Sequence, residues 1–590
     1  MSAAEDLFRE HCVRGVRNFV QTAVIIDNEA HIDAGTETDR PRRATRLPAS
    51  ILQPEIPTEK TEQSRPPPKQ APSEPDLEND RRAHALNAKI LTDAFHRIEV
   101  VCGLYKPTSD EEAVGLATKA AQHADIVILD WYLDEQRNSR KAKDVIRSIL
   151  KRDREENGRL RLIAVYTGER DLPTLAKEVF EELEPPLTDA GSSFRLDGNA
   201  LTRGDARICF LNKPNTPLAV GPDVVGEADL PDRLMQEFAV VTEGILTTFA
   251  VQAIAAVRRA AHHIIAVFRK ELDGCYLAHR CRLPDPEDAK DFATELVVEE
   301  LRNIITMADV AERCMSADIL KAWVDHVHVN NNHVFRSRAA EEFSTEMIKG
   351  WLEKGGLLSK SLARAQGLKN IKDIEGAFFQ NGPECWQRSL EFARLSSLKR
   401  EPRGRTKFPG DWRPTLTLGT IVKVLRAEMK IGQPPDDVPV EYLVCVQPRC
   451  HSVRLDRKTA FPFQTAVRSP LKFNLVVKDD QTEGTELLVG WKPQDAMMLR
   501  FEPDAVSQSV RATRTETGFV FVDSDDLQLL WLGDIKDMKA QRNASELAGH
   551  IHTAGVDDFE WLRLAVTDKI DFEVKTAGQD NKGLGDPEET

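Results

Sequence analysis

The sequence is short of several things that would each announce a function. No run of 18 consecutive apolar residues occurs along its 590 positions, so no membrane-spanning helix is expected. Its 80 Lys and Arg are outnumbered by 95 Asp and Glu, a formal charge of -15, whereas sequence-independent binding to nucleic acid or to an anionic membrane needs clustered positive charge. The nine cysteines lie scattered without paired spacing, and no N-terminal segment joins a charged start, an apolar run and a small-residue cleavage site. Both absences lead us to expect a reducing, cytoplasmic setting. Cys445, Cys450 and His451 stand close together, but zinc takes four ligands and no second Cys/His pair is near, so a structural thiol in a strand is expected. A nucleophile elbow, a P-loop, an HExxH motif and a dinucleotide fingerprint are all missing, which makes an output enzyme the weakest reading. The C-terminal part also shows no compact basic helix-turn-helix, which disfavours a transcription factor.

What is present centres on one stretch. Ile126-Val127-Ile128-Leu129, four apolar residues of which three are β-branched, runs straight into Asp130, as a buried parallel strand does where it reaches the mouth of an open α/β sheet. Three further strand ends behave alike. Val24-Ile25-Ile26 leads into Asp27-Asn28-Glu29, Leu162 to Tyr166 leads into Thr167-Gly168, and Ile208 to Leu211 leads into Asn212-Lys213-Pro214. Parallel strands in that order deliver an acidic cluster, a carboxylate, a hydroxyl and an ammonium to one edge, where ligands gather in such sheets. Acidic and amide oxygens beside a second carboxylate suit a hard cation such as Mg²⁺. Asp130 then reads as a phosphoryl acceptor, with Lys213 and Thr167 supplying a cation and a donor to the phosphoryl oxygens.

At these residues the sequence resembles the receiver domain of two-component response regulators, over roughly residues 20 to 225. The resemblance implies an α/β fold, a doubly wound five-stranded parallel (flavodoxin-like) sheet. It implies Asp130 as phosphoacceptor, Thr167 as the switch residue, and Lys213 followed by a cis-Pro at Pro214. It also implies a Mg²⁺ site made by Asp27, Asn28, Asp130 and the backbone carbonyl of Tyr132, and a histidine kinase as phosphodonor. Asn28 departs from the family, which has an acid there; weaker metal binding and slower phosphorylation follow, unless Glu29 or Asp134 substitutes. Tyr442 to Leu455 is similar to a segment of proteins in phage-defence phosphorelays of the Detocs type, which implies an antiviral context.

Taken in order, the chain is expected to form a receiver domain over 1–225, a helical domain over 226–398, a β-rich or α+β domain over 399–575 and a flexible tail over 576–590. Residues 3 to 20 have the spacing of an amphipathic helix that packs on the receiver or on a partner chain. About 30 to 80, rich in Pro and polar residues and without an aromatic, reads as a disordered insertion that either gates the pocket or is a tolerated surface loop. Helices are expected over 81–97 and from a Ser109 cap to His123, with a strand at Ile98–Cys102 between them, then around 140–152 and 172–183; Pro185 to Gly204 reads as a polar loop. Leu234 to Phe249 is expected to be one helix, the receiver's last. Val251 to Phe268 follows as a central bundle helix, in which His262 and His263 are expected to be buried or capping, not phosphotransfer groups. Further helices are expected near 286–314, 316–327, 337–354, 358–366 and 383–397. Strands follow near 416–422, 442–447, 473–477, 485–489 and 518–522, and helices near 535–548 and 557–566.

Three functional readings result. One is a phosphorelay receiver that takes phosphate on Asp130 without DNA-binding output and without catalysis beyond slow self-dephosphorylation. Another is a pseudo-receiver scaffold or phosphate sink that docks a kinase or another receiver. The third is an effector enzyme with an unrecognised C-terminal site.

Overall fold

The computed structural model describes residues 3–31, 85–107, 113–134, 137–156, 158–183, 193–283, 286, 288–336, 342–354, 376–379, 382–402, 408, 410–425, 442–470, 472–479 and 484–552. Nearly all of the expected insertion, the Ser109 cap, the expected helices at 358–366 and 557–566 and the tail lie outside them. The chain divides into two compact units, Met1–Ala377 and Phe378–Thr590.

The first unit is built on strands β1 (Thr22–Ile26), β2 (Val101–Tyr105), β3 (Ile126–Leu129), β4 (Arg161–Thr167), β5 (Arg195–Asp197), β6 (Ala200–Arg203) and β7 (Ala206–Asn212). Their order is β2-β1-β3-β4-β7-β6-β5. Five strands are parallel, in the doubly wound order of a flavodoxin-like sheet, with the switch point between β1 and β3. The sheet has seven strands, not the expected five. Residues 195–203, expected to be loop, fold into a hairpin antiparallel to β7, because Gly198 (φ +57°) and Asn199 close a two-residue turn and Ala200 and Leu201 are buried on the sheet edge. The second strand also begins at Val101, not Ile98. Ile98 to Val100 are taken up in ending the preceding helix, with Glu99 in the left-handed region (φ +61°) and the amides of all three bonded to Phe95 or His96 carbonyls.

Helices α1 (Ala3–Phe19), α2 (Ala88–Arg97) and α6 (Leu230–Val241) cover one face through Phe8, Phe95, Leu234 and Phe238. The other face is covered by α3 (Ala113–Ala121), α4 (Arg140–Glu155) and α5 (Leu172–Leu183) through Ala117, Ile146 and Val179. The expected helix Leu234–Phe249 is two helices, since α6 ends at Val241 and α7 (Ile245–Val267) starts after Gly244, which is fully extended. The unit continues with α8 (Asp273–Arg282), α9 (Asp288–Met307), α10 (Val310–Met315), α11 (Ala317–Asn330) and α12 (Thr345–Lys354).

These helices do not form a body of their own. Val251 and Ala255 of α7 and Ile319 and Ala322 of α11 share one core with α1, α2 and the sheet, so the expected boundary near 225 is crossed by continuous packing. Arg258 fixes α7 further: its guanidinium stands over the Phe19 ring at 4.3 Å and lies 3.4 Å from both oxygens of the buried Asp125, whose Oδ2 also accepts the Gln21 and Thr22 amides.

The second unit opens with α13 (Gly382–Ser397), which the sequence had grouped with the preceding helices, and is dominated by a ten-stranded sheet. Its strands are β8 (Leu398–Arg400), β9 (Thr420–Leu425), β10 (Tyr442–Cys445), β11 (Thr459–Arg468), β12 (Leu475–Val477), β13 (Thr485–Val489), β14 (Ala496–Phe501), β15 (Thr513–Thr515), β16 (Gly518–Val522) and β17 (Gln528–Ile535). All its pairings are antiparallel. The two longest strands, β11 and β17, were not expected, and both carry a buried aromatic in mid-strand, Phe463 and Trp531. At Gly533 (φ +145°) a Cβ would stand 2.6 Å from the Arg400 carbonyl, so the β8–β17 crossing requires glycine. A helix, α14 (Asp537–His552), follows. Among the described residues no helix is long and apolar enough to cross a membrane.

Arg161 is the buried clasp of the first unit. Its guanidinium holds both Asp153 oxygens at 2.7 and 2.8 Å and the carbonyls of Ala121 and Ala124 at 2.7 and 2.8 Å, joining the end of α4 to the end of α3. Arg161→Ala strands the buried Asp153 carboxylate and is expected to cost about 3–5 kcal/mol. The readout is faster hydrogen exchange along β3 and β4; unchanged exchange there would contradict it.

Candidate functional site

Register alone brings the expected residues together. Ile26 lies opposite Leu129, so Asp27 and Asp130 leave the sheet side by side; Thr167 lies opposite Asn212, so Lys213 leaves one residue beyond it. The Lys213 Nζ stands 2.9 Å from Asp27 Oδ2 and 2.9 Å from Asp130 Oδ1. The second oxygen of each acid is held by backbone, Asp130 Oδ2 accepting the Tyr132 N–H at 3.1 Å and Asp27 Oδ1 the Glu29 N–H at 2.7 Å. The side chains of Asp130 and Lys213 are each 1% exposed. No peptide bond among the described residues is cis, so the link from Lys213 to Pro214 is trans, against the expectation drawn from the family.

Three charges enclosed this way perturb one another. Burial pushes the Asp130 carboxyl up to about 7; the Lys213 ammonium opposes that rise and the charge of Asp27 adds to it. Burial by itself would lower Lys213, but the two carboxylates more than reverse it and hold the amine protonated, well above the ordinary lysine range.

Thr167 is fully buried and its Oγ1 accepts the Glu169 N–H at 3.1 Å. Its carbonyl accepts the Lys213 N–H at 2.9 Å, so the switch position and the lysine are tied through main chain. Glu169, and two contacts to it, escaped the sequence reading. Asn212 donates through Nδ2 to the Glu169 carbonyl at 2.5 Å. The Tyr132 hydroxyl is hydrogen-bonded to the Glu169 carboxylate, and burial first, then that acid's charge and bond, push the phenol up to about 12. Glu169 and Tyr132 thus join the loops after β4 and β3 across the mouth. Their places just past two strand ends were readable, but nothing in sequence pairs a residue of one loop with a residue of another.

Asn28 Oδ1 is a buried oxygen with no hydrogen-bond partner. Together with Asp27 and Asp130 it makes an oxygen-only donor set of the kind Mg²⁺ takes, two carboxylates and one amide. Among the described residues no group of three His, Cys, Asp or Glu could hold a metal, so a third carboxylate does not complete this set. Asp134 is engaged elsewhere, with the Asn138 N–H at 3.2 Å and Lys141 Nζ at 3.6 Å.

Other candidate groups stay apart from the pocket. His262 and His263 are exposed on α7, with ring centroids 4.0 Å apart, and are not the buried or capping histidines expected. Cys445 is buried on β10, where burial pushes its thiol up to about 12, while Cys450 and His451 are exposed.

Lys213→Met would leave two buried carboxylates facing each other, and a loss of about 3–5 kcal/mol in stability is expected. The loss should shrink when Asp130→Asn is also present, because one of the two charges is then gone, and Mg²⁺ should restore part of it in the single variant. Strictly additive losses in denaturant titrations, unaffected by Mg²⁺, would show that the ion pair is not what holds the pocket.

In comparison with known proteins, the model of the response receiver domain family matches residues 19–218. No curated protein and no solved structure matches the chain.

Proposed function

We propose, from the premise that residues 19–218 are a response-regulator receiver domain, that the protein takes a phosphoryl group on Asp130 from a histidine kinase. The observation that carries this is the single ammonium of Lys213, 2.9 Å from an oxygen of Asp27 and 2.9 Å from an oxygen of Asp130 at the switch point of the sheet. An Asp130 oxygen forms the new bond to phosphorus while the bond from phosphorus to the donor's imidazole nitrogen breaks, and that nitrogen keeps the electron pair. Lys213, released from one carboxylate, turns to a phosphoryl oxygen, and the Thr167 hydroxyl donates to another once its loop has moved inward. Asp27, Asn28, Asp130 and the Tyr132 carbonyl are the residues that would hold Mg²⁺, whose charge neutralises carboxylate and incoming phosphate together. The protein is an acceptor and not an output enzyme in this reading. The defence phosphorelay is the setting we infer from Tyr442 to Leu455.

One observation favours a second reading. With Asp130 only 1% exposed and Asn28 in place of an acid, the pocket also suits a scaffold that docks a kinase without taking phosphate. Intact-mass measurement separates the two. With Mg²⁺ and a small phosphodonor, wild-type protein should gain one phosphate and Asp130→Asn none. Labelling that survives in Asp130→Asn would move the acceptor elsewhere, and no labelling of either would leave the scaffold.

Asn28→Asp adds a negative charge to the oxygen set. It should tighten Mg²⁺ about tenfold or more in calorimetric titration, the effect of roughly 1.4 kcal/mol. Equal or weaker binding would show that the amide oxygen is not a ligand.

A further inference from the structure

Past Ala256, α7 leaves the core of its unit. Its buried residues, Thr248 to Ala256, all lie in its first half, where Ala253 and Ala256 pack with Val310 and Cys314. From Val257 to Asp309, Ala289 is the one buried residue among those described, although α9 runs back along α7 and the two helices touch. The arm they form is not polar. Ile265 is 73% exposed and Met307 86%, and Phe268, Leu277, Phe292, Leu296 and Val298 range from 38% to 56%. On α7 the apolar positions Ile254, Ala261, Ile265 and Phe268 recur at spacings of seven, four and three, the period of a helix seated in a bundle. Among the described residues, the helix read from sequence as central to a bundle therefore has only one half of that bundle.

We propose that the missing half is a second copy of this chain, the two α7–α9 arms pairing about a twofold axis into a four-helix bundle. Charge favours a copy over another partner. From Ile245 to Lys270 there is no acid; Arg258 is engaged by Asp125 of its own unit, and Arg259, Arg269 and Lys270 keep that stretch basic, while α9 carries Asp288, Asp291, Glu295, Glu299 and Glu300 against Lys290 and Arg302. In a twofold bundle each basic α7 has an acidic α9 on either side, its own and the partner's, and like helices lie diagonally. Left uncovered, an apolar surface of this extent is unusual on a soluble protein.

The test is sedimentation velocity of the full chain, with hydrogen exchange on dilution. Wild type should sediment as a dimer at about 50 µM, and protection over 257–307 should fall as the protein is diluted. Ile265→Asp and Leu296→Glu, both at positions open to solvent in the single chain, should each weaken association at least about tenfold. Uptake of one phosphate by each variant would show that its receiver is folded, and that readout tests the Asp130 reading separately. A monomeric wild type, a dimer undiminished in both variants, or protection that ignores dilution would overturn the proposal. So would variants that keep wild-type association but lose binding of a histidine kinase, which would make the arm a kinase dock.

Discussion

The first unit is arranged around one ammonium between two carboxylates. Removing three charges from water costs several kcal/mol each, and Lys213 offsets this only because it reaches Asp27 and Asp130 at equal distance while the main chain takes their remaining oxygens. That geometry demands that three strand ends coincide. A one-residue slip of β1, β3 or β7 would turn its charged residue to the other face and leave the others unbalanced. The cluster sets two acids against one ammonium in a closed space, and Asn28 adds an oxygen with nothing to bind. A further cation would complete a pocket so composed, and in the proposed reaction a phosphoryl group would replace carboxylate contacts instead of adding uncompensated charge.

The helices after the receiver's last strand are extensions of its α1/α2/α6 layer, which constrains how a change at the pocket could travel. The Asn212 amide and carbonyl bond Asp223 and Val225, and Arg207 of β7 holds Glu237 of α6 at 2.6 and 2.8 Å, so α6 is coupled to the strand that ends in Lys213. The base of α7 is fixed at the opposite edge of the sheet, where Arg258 meets Asp125 ahead of β3. Between the two helices the chain breaks at Thr242 to Gly244. A shift of the Thr167 loop would therefore reach α6 directly, and α7 through the core it shares with α1 and through the Thr248 hydroxyl, which donates to the Thr242 carbonyl at the end of α6 at 3.0 Å.

The buried and the exposed apolar surfaces of α7 follow from one sequence pattern. Its Ala, Val and Ile residues lie on most sides; in the first half they meet α1, α10 and α11, and in the second half, among the described helices, α9 runs alongside. Pairing of two arms would place two receivers in one particle without using the Asp130 pocket, so the proposed association and the proposed phosphate uptake would be physically separable.

Strand ends are local objects, and they were legible. A run of β-branched residues stopping at Asp27, Asp130, Thr167 or Lys213 announces both a buried strand and the polar group it delivers, and the order of those runs is enough to imply a doubly wound sheet. Tertiary structure decided what depends on partners distant in sequence. The 195–203 hairpin is short and polar, so its strand character comes from lying along β7. β11 and β17 gain theirs from neighbours on both sides. Leu234 to Phe249 keeps a helical period across its break, because two successive helices can hold their apolar faces to the same core. Glu169 meets Tyr132 only because two loops arrive at one mouth. Periodicity names the face a helix must bury; it says nothing about whether the burying surface is in the same chain, and for the outer half of α7 the described residues do not supply the whole of it.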